Sequence, residues 1–326
     1  MVSLAVTSEA WPVRGAFTIS RGSRIEAHVV VAELRDGACR GRGECVPYAR
    51  YDETPESVIA QIEGLAPDIA GGLGRERLQS ALPAGAARNA LDCAFWDLEA
   101  KRTGKRVWEL AGVPQPKPLT SAYTLSLDTP EAMCAAARDN AQRPLLKLKL
   151  AGPDDLDRVR AVRSGAPDAA LIVDANEGWC VETYLALAPE LKALGVQMIE
   201  QPLPAGEDAA LEDIEHPVPV CADEACHDRA SLQALKGRYD MINIKLDKTG
   251  GLTEALAVKA EAEAMGFDVM VGCMLGTSLA MAPAHLVAQG AGIVDLDGPL
   301  LLAKDRKQAL RFDGSVIHPS AAALWG

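Results

Sequence analysis

Residues 145–150 read LLKLKL and residues 171–176 read LIVDAN, and these two stretches decide the fold of the chain. Each is a short apolar run that ends in charged or polar side chains. In the first, leucines alternate with Lys147 and Lys149, so an extended strand points both amines to one side and the leucines to the other. Lysine is usually exposed to solvent, so two lysines on one face of an apolar strand indicate a functional interior rather than a solvated edge.

The same pattern recurs through the rest of the chain. Short apolar runs start roughly every 21–27 residues, and each is followed by a helical stretch. Eight such units predict a (β/α)₈-type barrel, with catalytic groups at the C-terminal ends of its strands. An open doubly wound sheet is the alternative, but no GxGxxG motif follows a first strand. The predicted strands are Tyr123–Leu127, Leu145–Leu150, Leu171–Asp174, Gln197–Glu200, Val218–Cys221, Met241–Lys245, Asp268–Val271 and Ile293–Asp297.

The N-terminal part has a different character and predicts an α+β unit. Ile25–Leu34 has strand composition and ends at a turn signal, and Gly43–Val46 is a candidate partner strand. Ala86–Thr103 has apolar residues at helical spacing and stops before a glycine. The proline-rich segment Pro114–Pro118 reads as a linker, which sets the α+β unit at residues 1–113.

Composition restricts the partners. The 326 residues carry 33 Lys and Arg against 45 Asp and Glu, a net charge of −12, and only 4% are aromatic. An acidic surface with few stacking side chains argues against nucleic acid and anionic membranes as partners. The eight cysteines have no CxxC spacing, and the N-terminus has no basic and then apolar leader. We therefore expect reduced cysteines, no secretion signal and a cytoplasmic location.

Three acids end three consecutive predicted strands and indicate a metal site. They are Asp174, Glu200 and Asp223, and the flanking strands carry Lys149 and Lys245. Three carboxylates from different strands suit a hard octahedral cation such as Mg²⁺ and leave positions for a substrate carboxylate. Each acid taken alone is also compatible with an ordinary helix N-cap.

Two lysines around a metal site indicate proton transfer at a carbon next to a carboxylate. A cation there can stabilise the enediolate that forms when the α-proton leaves. Bases on opposite faces of that planar intermediate allow a proton to leave from one side and return on the other, which inverts the configuration. A base must be partly neutral, and we expect the Lys147 ammonium, together with the metal, to lower the pKa of Lys149.

Taken together, these motifs resemble the muconate-lactonising branch of the enolase superfamily over nearly the whole chain. The resemblance implies a (β/α)₇β barrel over residues 119–302 and an N-terminal α+β capping domain at 1–113, completed by the tail 303–326. It implies Mg²⁺ as the cofactor and Lys149 and Lys245 as the catalytic bases. The motifs are Lys147-x-Lys149, Asp174-x-Asn176, Glu200-Gln201-Pro202, Asp223-Glu224 and Lys245-Leu246-Asp247-Lys248-Thr249-Gly250-Gly251.

Within that branch, the segment Asp295-Leu296-Asp297-Gly298-Pro299 resembles the paired-aspartate motif of dipeptide epimerases, which holds the substrate ammonium. Ordinary loop caps are the alternative for Asp295 and Asp297, but two acids on one face are costly without a cation. Cys273 and Met274 also look like that subfamily. The segment Ser20–Arg24 resembles the cap loop in which an arginine meets a glutamyl carboxylate in L-Ala-D/L-Glu epimerases.

The remaining assignments are less specific. Arg24 is favoured over Arg21 as the substrate ligand, with surface ion pairs as the alternative for both. Thr124 is a candidate substrate contact or an ordinary buried threonine. Asn176 and Glu224 are expected to position the metal ligands or a lysine.

The resemblance implies a small dipeptide as the partner, and a role in recycling murein-derived peptides. It allows homo-oligomers from dimers to octamers. Two other reactions on the same site are β-elimination, as in o-succinylbenzoate synthase, and N-acylamino-acid racemisation, and neither substrate offers an ammonium to the aspartates. A Schiff-base lyase with Lys245 as nucleophile is a further alternative, but it leaves the three acids without a purpose.

Overall fold

The computed structural model describes residues 1–152 and 154–326. Its N-terminal part contains a three-stranded antiparallel sheet in the order β1-β2-β3, formed by β1 (Ser3–Ile19), β2 (Gly22–Asp36) and β3 (Cys39–Cys45). The sequence did not predict β1. As an edge strand it fully buries only Val13, so it carries little of the apolar alternation that marks a strand.

Five helices accompany this sheet, and the predicted helix 86–103 is confirmed. They are α1 (Pro55–Gly64), α2 (Ala66–Ala70), α3 (Arg75–Ala81), α4 (Ala86–Thr103) and α5 (Val107–Leu110). Helix α4 lies directly on β3, where a Cβ atom at Gly43 would stand 2.1 Å from the carbonyl oxygen of Ala90. Only glycine permits that approach.

After the short strand β4 (Leu119–Thr120), eight parallel strands form one sheet, as predicted. Their order along the sheet follows the sequence, and Ala122 N–H donates to Val294 C=O at 2.8 Å, which brings the last strand beside the first and closes the barrel. The strands are β5 (Tyr123–Leu125), β6 (Leu145–Lys149), β7 (Ala170–Asp174), β8 (Val196–Glu200), β9 (Val220–Ala222), β10 (Met241–Ile244), β11 (Asp268–Val271) and β12 (Ile293–Val294).

Four strands end earlier than predicted: β5 at Leu125, β6 at Lys149, β10 at Ile244 and β12 at Val294. Because β10 stops at Ile244, Lys245 precedes a helical turn, and because β12 stops at Val294, Asp295 and Asp297 lie beyond the end of the strand. The helices are α6 (Pro130–Asp139), α7 (Asp155–Gly165), α8 (Val181–Ala193), α9 (Arg229–Leu235), α10 (Leu246–Thr249), α11 (Leu252–Met265), α12 (Ser278–Val287) and α13 (Gly298–Leu301).

The connection from β8 to β9 contains a single 3₁₀ turn at Ala209–Glu212. Together, the strands β5–β12 and the helices between them form a mixed α/β (β/α)₇β barrel, and the N-terminal sheet lies beside it. This architecture agrees with the fold class expected from the resemblance. The C-terminal tail adds β13 (Phe312–Asp313) and β14 (Val316–Ile317), and its Trp325 indole N–H donates to Cys93 C=O in α4. The domain limits at residues 113, 119 and 302 stay predictions.

Period-two alternation in the barrel strands separates two environments. Ile172, Met198, Cys221 and Met270 point inward and pack into one buried layer. Their sequence neighbours face the surrounding helices as part of the main core. The inward positions above this layer, towards the C-terminal strand ends, are polar or charged. The barrel thus has an apolar floor and a charged mouth.

All eight cysteines are free thiols. Within the two described ranges, no helix has the length and apolar character needed to cross a membrane.

Candidate active site

The predicted acids and lysines meet at the C-terminal end of the barrel. Lys149, Asp174 and Glu200 are the last residues of β6, β7 and β8, and Asp223 and Lys245 follow β9 and β10 directly. All five are buried, with exposures from 0% to 7%. Because the strands are ordered β6 to β10, the three acids lie between the two lysines around the rim.

Lys147 lies one inward position below Lys149 and contacts three acids. Its Nζ is 2.5 Å from Glu200 Oε2, 2.7 Å from Asp295 Oδ2 and 3.4 Å from Asp174 Oδ2. Burial lowers the pKa of Lys147, but the charges of Asp295, Glu200 and Asp174 outweigh it and hold that pKa well above its usual value. Lys147 is therefore a permanent cation here, as expected of the neighbour of a base.

The two proposed bases each donate to a different acid. Lys149 Nζ donates to Asp174 Oδ2 at 2.5 Å, and Lys245 Nζ donates to Asp223 Oδ2 at 2.6 Å. Burial raises the pKa of Asp174, yet Lys149 and Lys147 outweigh it and bring that pKa to about 2. Burial lowers the pKa of Lys245, but Asp223 and Glu200 hold it well above normal. The mouth is thus a network of alternating charges.

Three further side chains position these acids, and two of them, Asn243 and Gln201, were not predicted for that role. Asn243 Nδ2 donates to Glu200 Oε1 at 2.7 Å, and Lys248 Nζ donates to Asp223 Oδ1 at 2.6 Å. Gln201 Oε1 accepts from the backbone N–H of Asp223 at 2.9 Å. For Asn243 a signal existed, because it stands two residues before Lys245 and so points into the barrel.

The acids fit a hard divalent cation by their chemistry. Burying three carboxylates carries a large desolvation free energy, and only attraction to cationic partners can offset it. Glu200 Oε2 accepts no hydrogen bond from any described residue, although Lys147 Nζ lies near it. Within residues 1–152 and 154–326, no three His, Cys, Asp or Glu side chains form a ligand cluster as oriented here. Lys147 lies among the acids instead, so a metal at Asp174, Glu200 and Asp223 would compete with it.

Two cavities open at the mouth and meet at Lys149. The first, the arginine cavity, is open to solvent and has a volume of about 630 Å³. Its wall joins the barrel residues Lys149, Asn176, Glu224 and Lys245 to cap residues that include Phe17, Arg21, Arg24, Tyr48 and Tyr51. Cys273 and Met274, at the end of β11, line both cavities.

The two candidate arginines differ in their contacts. Arg21 Nη2 donates to Glu224 Oε1 at 2.7 Å and to Tyr48 Oη at 3.0 Å, and its Nη1 donates to the Asn176 carbonyl at 2.9 Å. Arg21 therefore fastens the cap to the barrel. Arg24 lies over the Tyr48 ring at 5.3 Å and forms no ion pair with any described residue.

The segment that carries these arginines, which resembles a cap loop in sequence, forms the tip of the β1–β2 hairpin. β2 already begins at Gly22, and Ser23 and Arg24 pair with Thr18 and Phe17 of β1. The turn itself consists of Ser20 and Arg21. The antiparallel pairing extends the hairpin over the barrel mouth and places Arg24 in the cavity wall.

Asn176 and Glu224 lie beside Arg21, each with one unpaired oxygen. Asn176 Oδ1 and Glu224 Oε2 are buried and have no hydrogen-bond partner among the described residues. Burial, followed by the charges of Asp223 and Asp174, raises the pKa of Glu224 to about 7. Both side chains border the acids, in agreement with the expected positioning role, which stays a prediction.

The second cavity, the aspartate cavity, has a volume of about 290 Å³ and contains both aspartates of the predicted pair. Thr124 backbone N–H donates to Asp297 Oδ2 at 2.6 Å, so Thr124 holds an aspartate in addition to lining the cavity. Asp295 Oδ2 accepts from Lys147, whereas Asp295 Oδ1 has no partner among the described residues. The cation that compensates Asp295 is thus part of the chain itself.

Asp297 is buried at 3% exposure. Burial, followed by the charge of Asp295, raises its pKa to about 7. A cationic ligand in the aspartate cavity would favour the ionised form of Asp297.

Comparison with known families accounts for most of the chain. Residues 1–112 match the model described as mandelate racemase / muconate lactonizing enzyme, N-terminal domain. Residues 131–318 match the model described as enolase C-terminal domain-like.

Two characterised relatives are similar over almost their whole length. The chain is 51% identical over 320 residues to L-Ala-D/L-Glu epimerase of Escherichia coli, covering 98% of this chain and 100% of the relative. It is 48% identical over 302 residues to N-acetyl-D-glutamate racemase of a Pseudoalteromonas species, covering 91% and 95%.

Solved structures agree in fold. An enolase family member from Agrobacterium tumefaciens with homology to dipeptide epimerases, containing sodium and L-Ala-L-Glu, superposes with a TM-score of 0.98 at 55% identity, over 100% of both chains. A dipeptide epimerase of Enterococcus faecalis, complexed with Mg and L-Leu-L-Tyr, gives a TM-score of 0.92 at 26% identity and covers 99% and 98%.

Proposed function

We propose that this chain, which belongs to the mandelate racemase / muconate lactonizing enzyme family of the enolase superfamily, epimerises a small dipeptide. The proposed substrate is L-Ala-D/L-Glu, with inversion at the α-carbon of the glutamyl residue. One observation carries the proposal: Lys149 and Lys245 face one cavity from strands that flank three buried acids. The names of the E. coli relative and of the A. tumefaciens complex support the choice of dipeptide.

The reaction moves one proton off the α-carbon and another proton onto its opposite face. The lysine facing the α-proton must be neutral, and it takes that proton while the C–H electron pair enters the carboxylate to form an enediolate. The other lysine is cationic and returns a proton to the opposite face. No net proton is consumed, and Lys149 and Lys245 exchange roles when the other diastereomer is the substrate.

The chain's acids would hold the cofactor, which we propose is Mg²⁺. Asp174, Glu200 and Asp223 would be its ligands, and Asn243 and Lys248 hold two of these acids in place. When bound, the ion would supply positive charge against the charge that develops on the substrate carboxylate. Lys147 adds a fixed positive charge beside the same acids.

The two ends of the dipeptide would occupy the two cavities. The N-terminal ammonium fits the aspartate cavity, where Asp297 and the free oxygen of Asp295 accept it. The glutamyl side chain fits the arginine cavity, where Arg24 offers a guanidinium that forms no ion pair with the described residues. Thr124, Cys273 and Met274 would complete the wall around the backbone of the substrate.

A second candidate reaction is racemisation of an N-acylglutamate on the same site. The relative named N-acetyl-D-glutamate racemase, at 48% identity, favours it. In this chain Lys147 already compensates Asp295, which lowers the need for a ligand ammonium. Asp297 still argues for the dipeptide, because an N-acyl group offers a buried carboxylate no cation. As the biological role we propose recycling of murein-derived peptides in the cytoplasm.

The proposal is tested by ¹H NMR of L-Ala-L-Glu with the enzyme and Mg²⁺ in D₂O. We expect the glutamyl α-proton signal to disappear while L-Ala-D-Glu signals appear. The variants Lys149→Met and Lys245→Met serve as controls. Each should lose epimerisation and retain α-proton exchange with only one diastereomer, a different one for each variant. Epimerisation that survives in either variant would contradict the two-base mechanism.

A further inference from the structure

Lys147 is shared between two sites. Its side chain is 1% exposed, and its Nζ lies within 2.7 Å of Glu200 Oε2 on one side and of Asp295 Oδ2 on the other. Glu200 belongs to the proposed metal site, whereas Asp295 belongs to the aspartate cavity. One buried ammonium thus connects two acids with different ligands.

A buried ammonium needs anionic partners and is held more tightly by those that remain when one is lost. If Asp295 were neutral, Glu200 and Asp174 would be the only ion-pair partners left to Lys147 among the described residues. Those two acids are two of the three proposed metal ligands. The cation and Lys147 therefore compete for Glu200 and Asp174. Asp295 weakens this competition because its ion pair holds Lys147 towards the aspartate cavity.

We propose that Asp295, acting through Lys147, sets the affinity of the metal site, and that Asp295 is a positioning residue as well as a candidate ligand of the substrate ammonium. The inference rests on the proposed function for the identity of the metal ligands. It does not depend on which substrate is turned over. The two oxygens of Asp295 have different contacts, since Oδ2 accepts from Lys147 and Oδ1 is buried without a partner in the described chain.

Asp297 provides a matched control in the same turn. It has the same carboxyl side chain, it is about equally buried, and it lines the same cavity. It differs in its contact, because its Oδ2 accepts from Thr124 backbone N–H. General loss of negative charge near the metal would affect both aspartates alike, whereas coupling through Lys147 singles out Asp295.

The experiment measures Mn²⁺ affinity by electron paramagnetic resonance of the free ion, without substrate. For Asp295→Asn we expect an affinity roughly tenfold below wild type, in the usual range of coupling between sites. For Asp297→Asn we expect less than about a twofold change. Equal losses in the two variants would overturn the coupling and leave the proposed reaction intact.

A double-mutant cycle with Lys147→Gln isolates the role of the lysine. In the Lys147→Gln background, Asp295→Asn should no longer weaken Mn²⁺ binding, because no ammonium is left to compete. If the loss persists there, Asp295 acts without Lys147 and the inference fails. Failure of the wild type to bind Mn²⁺ would overturn both the coupling and the metal part of the proposed function. The Asp295→Asn and Asp297→Asn comparison decides the question even if Lys147→Gln does not fold.

Discussion

The aspartate cavity and the arginine cavity meet at Lys149 and follow the same plan with opposite charge. Each contains two like-charged side chains, and in each the chain itself engages one of them. Arg21 is fastened to Glu224 and Asp295 to Lys147, whereas Arg24 and Asp297 face their cavities without an ion-pair partner in the described chain. In each cavity, the side chain with an ion-pair partner stabilises the structure of the site, and the other side chain is available to a ligand.

The two cavities differ in how far they exclude water. Asp297 is almost fully buried, whereas Arg24 is exposed on the hairpin. Charge pairs are worth several kcal/mol when buried and about 1 kcal/mol or less when exposed. We therefore expect the aspartate cavity to dominate substrate binding and the arginine cavity to adjust it.

The largest effect is expected from Asp297→Asn. This variant keeps the shape and the contact with Thr124 but leaves a substrate ammonium without its charge partner. Losing one partner of a buried pair costs about 2–5 kcal/mol, so kcat/KM for L-Ala-L-Glu should fall by a factor of about 30 to about 5,000. Steady-state kinetics with coupled detection of L-Ala-D-Glu would measure it. A decrease in kcat/KM of less than about tenfold would mean that the aspartate cavity does not bind the substrate ammonium.

An intermediate effect is expected from pH. The pKa of Asp297 is raised to about 7, so its carboxylate is present above that pH and is lost as the pH falls through it. In the free enzyme, kcat/KM should therefore decline below pH 7 and stand roughly tenfold lower at pH 6 than on the plateau.

The Asp297→Asn variant is the control for this pH profile. It has no group to protonate at position 297, so the decline near pH 7 should disappear. A variant profile that parallels the wild type would assign the acid limb to another group, such as Glu224, whose pKa is also raised to about 7.

The smallest effect is expected from Arg24→Gln. An exposed charge pair is worth about 1 kcal/mol, so kcat/KM for L-Ala-L-Glu should fall roughly fivefold. The neutral isostere L-Ala-L-Gln should be turned over equally well by wild type and variant. A matching loss with both dipeptides would show that Arg24 supports the hairpin rather than reading the side-chain carboxylate.

The barrel and the metal acids could be predicted from the sequence because both depend on local periodicity. In Leu145–Lys149 the alternation sets the inward face, and Asp174 and Glu200 mark strand ends that are next to each other in sequence order. Parallel strands in sequential order place such ends side by side. The chemistry of the rim follows from that order alone.

The contacts between distant segments could not be predicted in this way. Lys147 and Asp295 are 148 residues apart and meet only because β12 closes the barrel near β5. The sequence suggested that a ligand cation compensates both aspartates, whereas Lys147 already forms an ion pair with Asp295. Tyr48 was also missed, because only the position of the hairpin brings its ring beneath Arg24.

The central claim is that the aspartate cavity contributes more to recognition than the arginine cavity, and one set of measurements on the wild-type enzyme tests it. The kcat/KM values for L-Ala-L-Glu, L-Ala-L-Gln and N-acetyl-L-Glu are compared under the same conditions with Mg²⁺. L-Ala-L-Gln lacks only the side-chain charge, and N-acetyl-L-Glu lacks the ammonium. We expect L-Ala-L-Glu to be best, L-Ala-L-Gln to lose less than about tenfold, and N-acetyl-L-Glu to lose more than about a hundredfold. Turnover of N-acetyl-L-Glu equal to that of L-Ala-L-Glu would contradict the claim and favour the N-acylglutamate reaction.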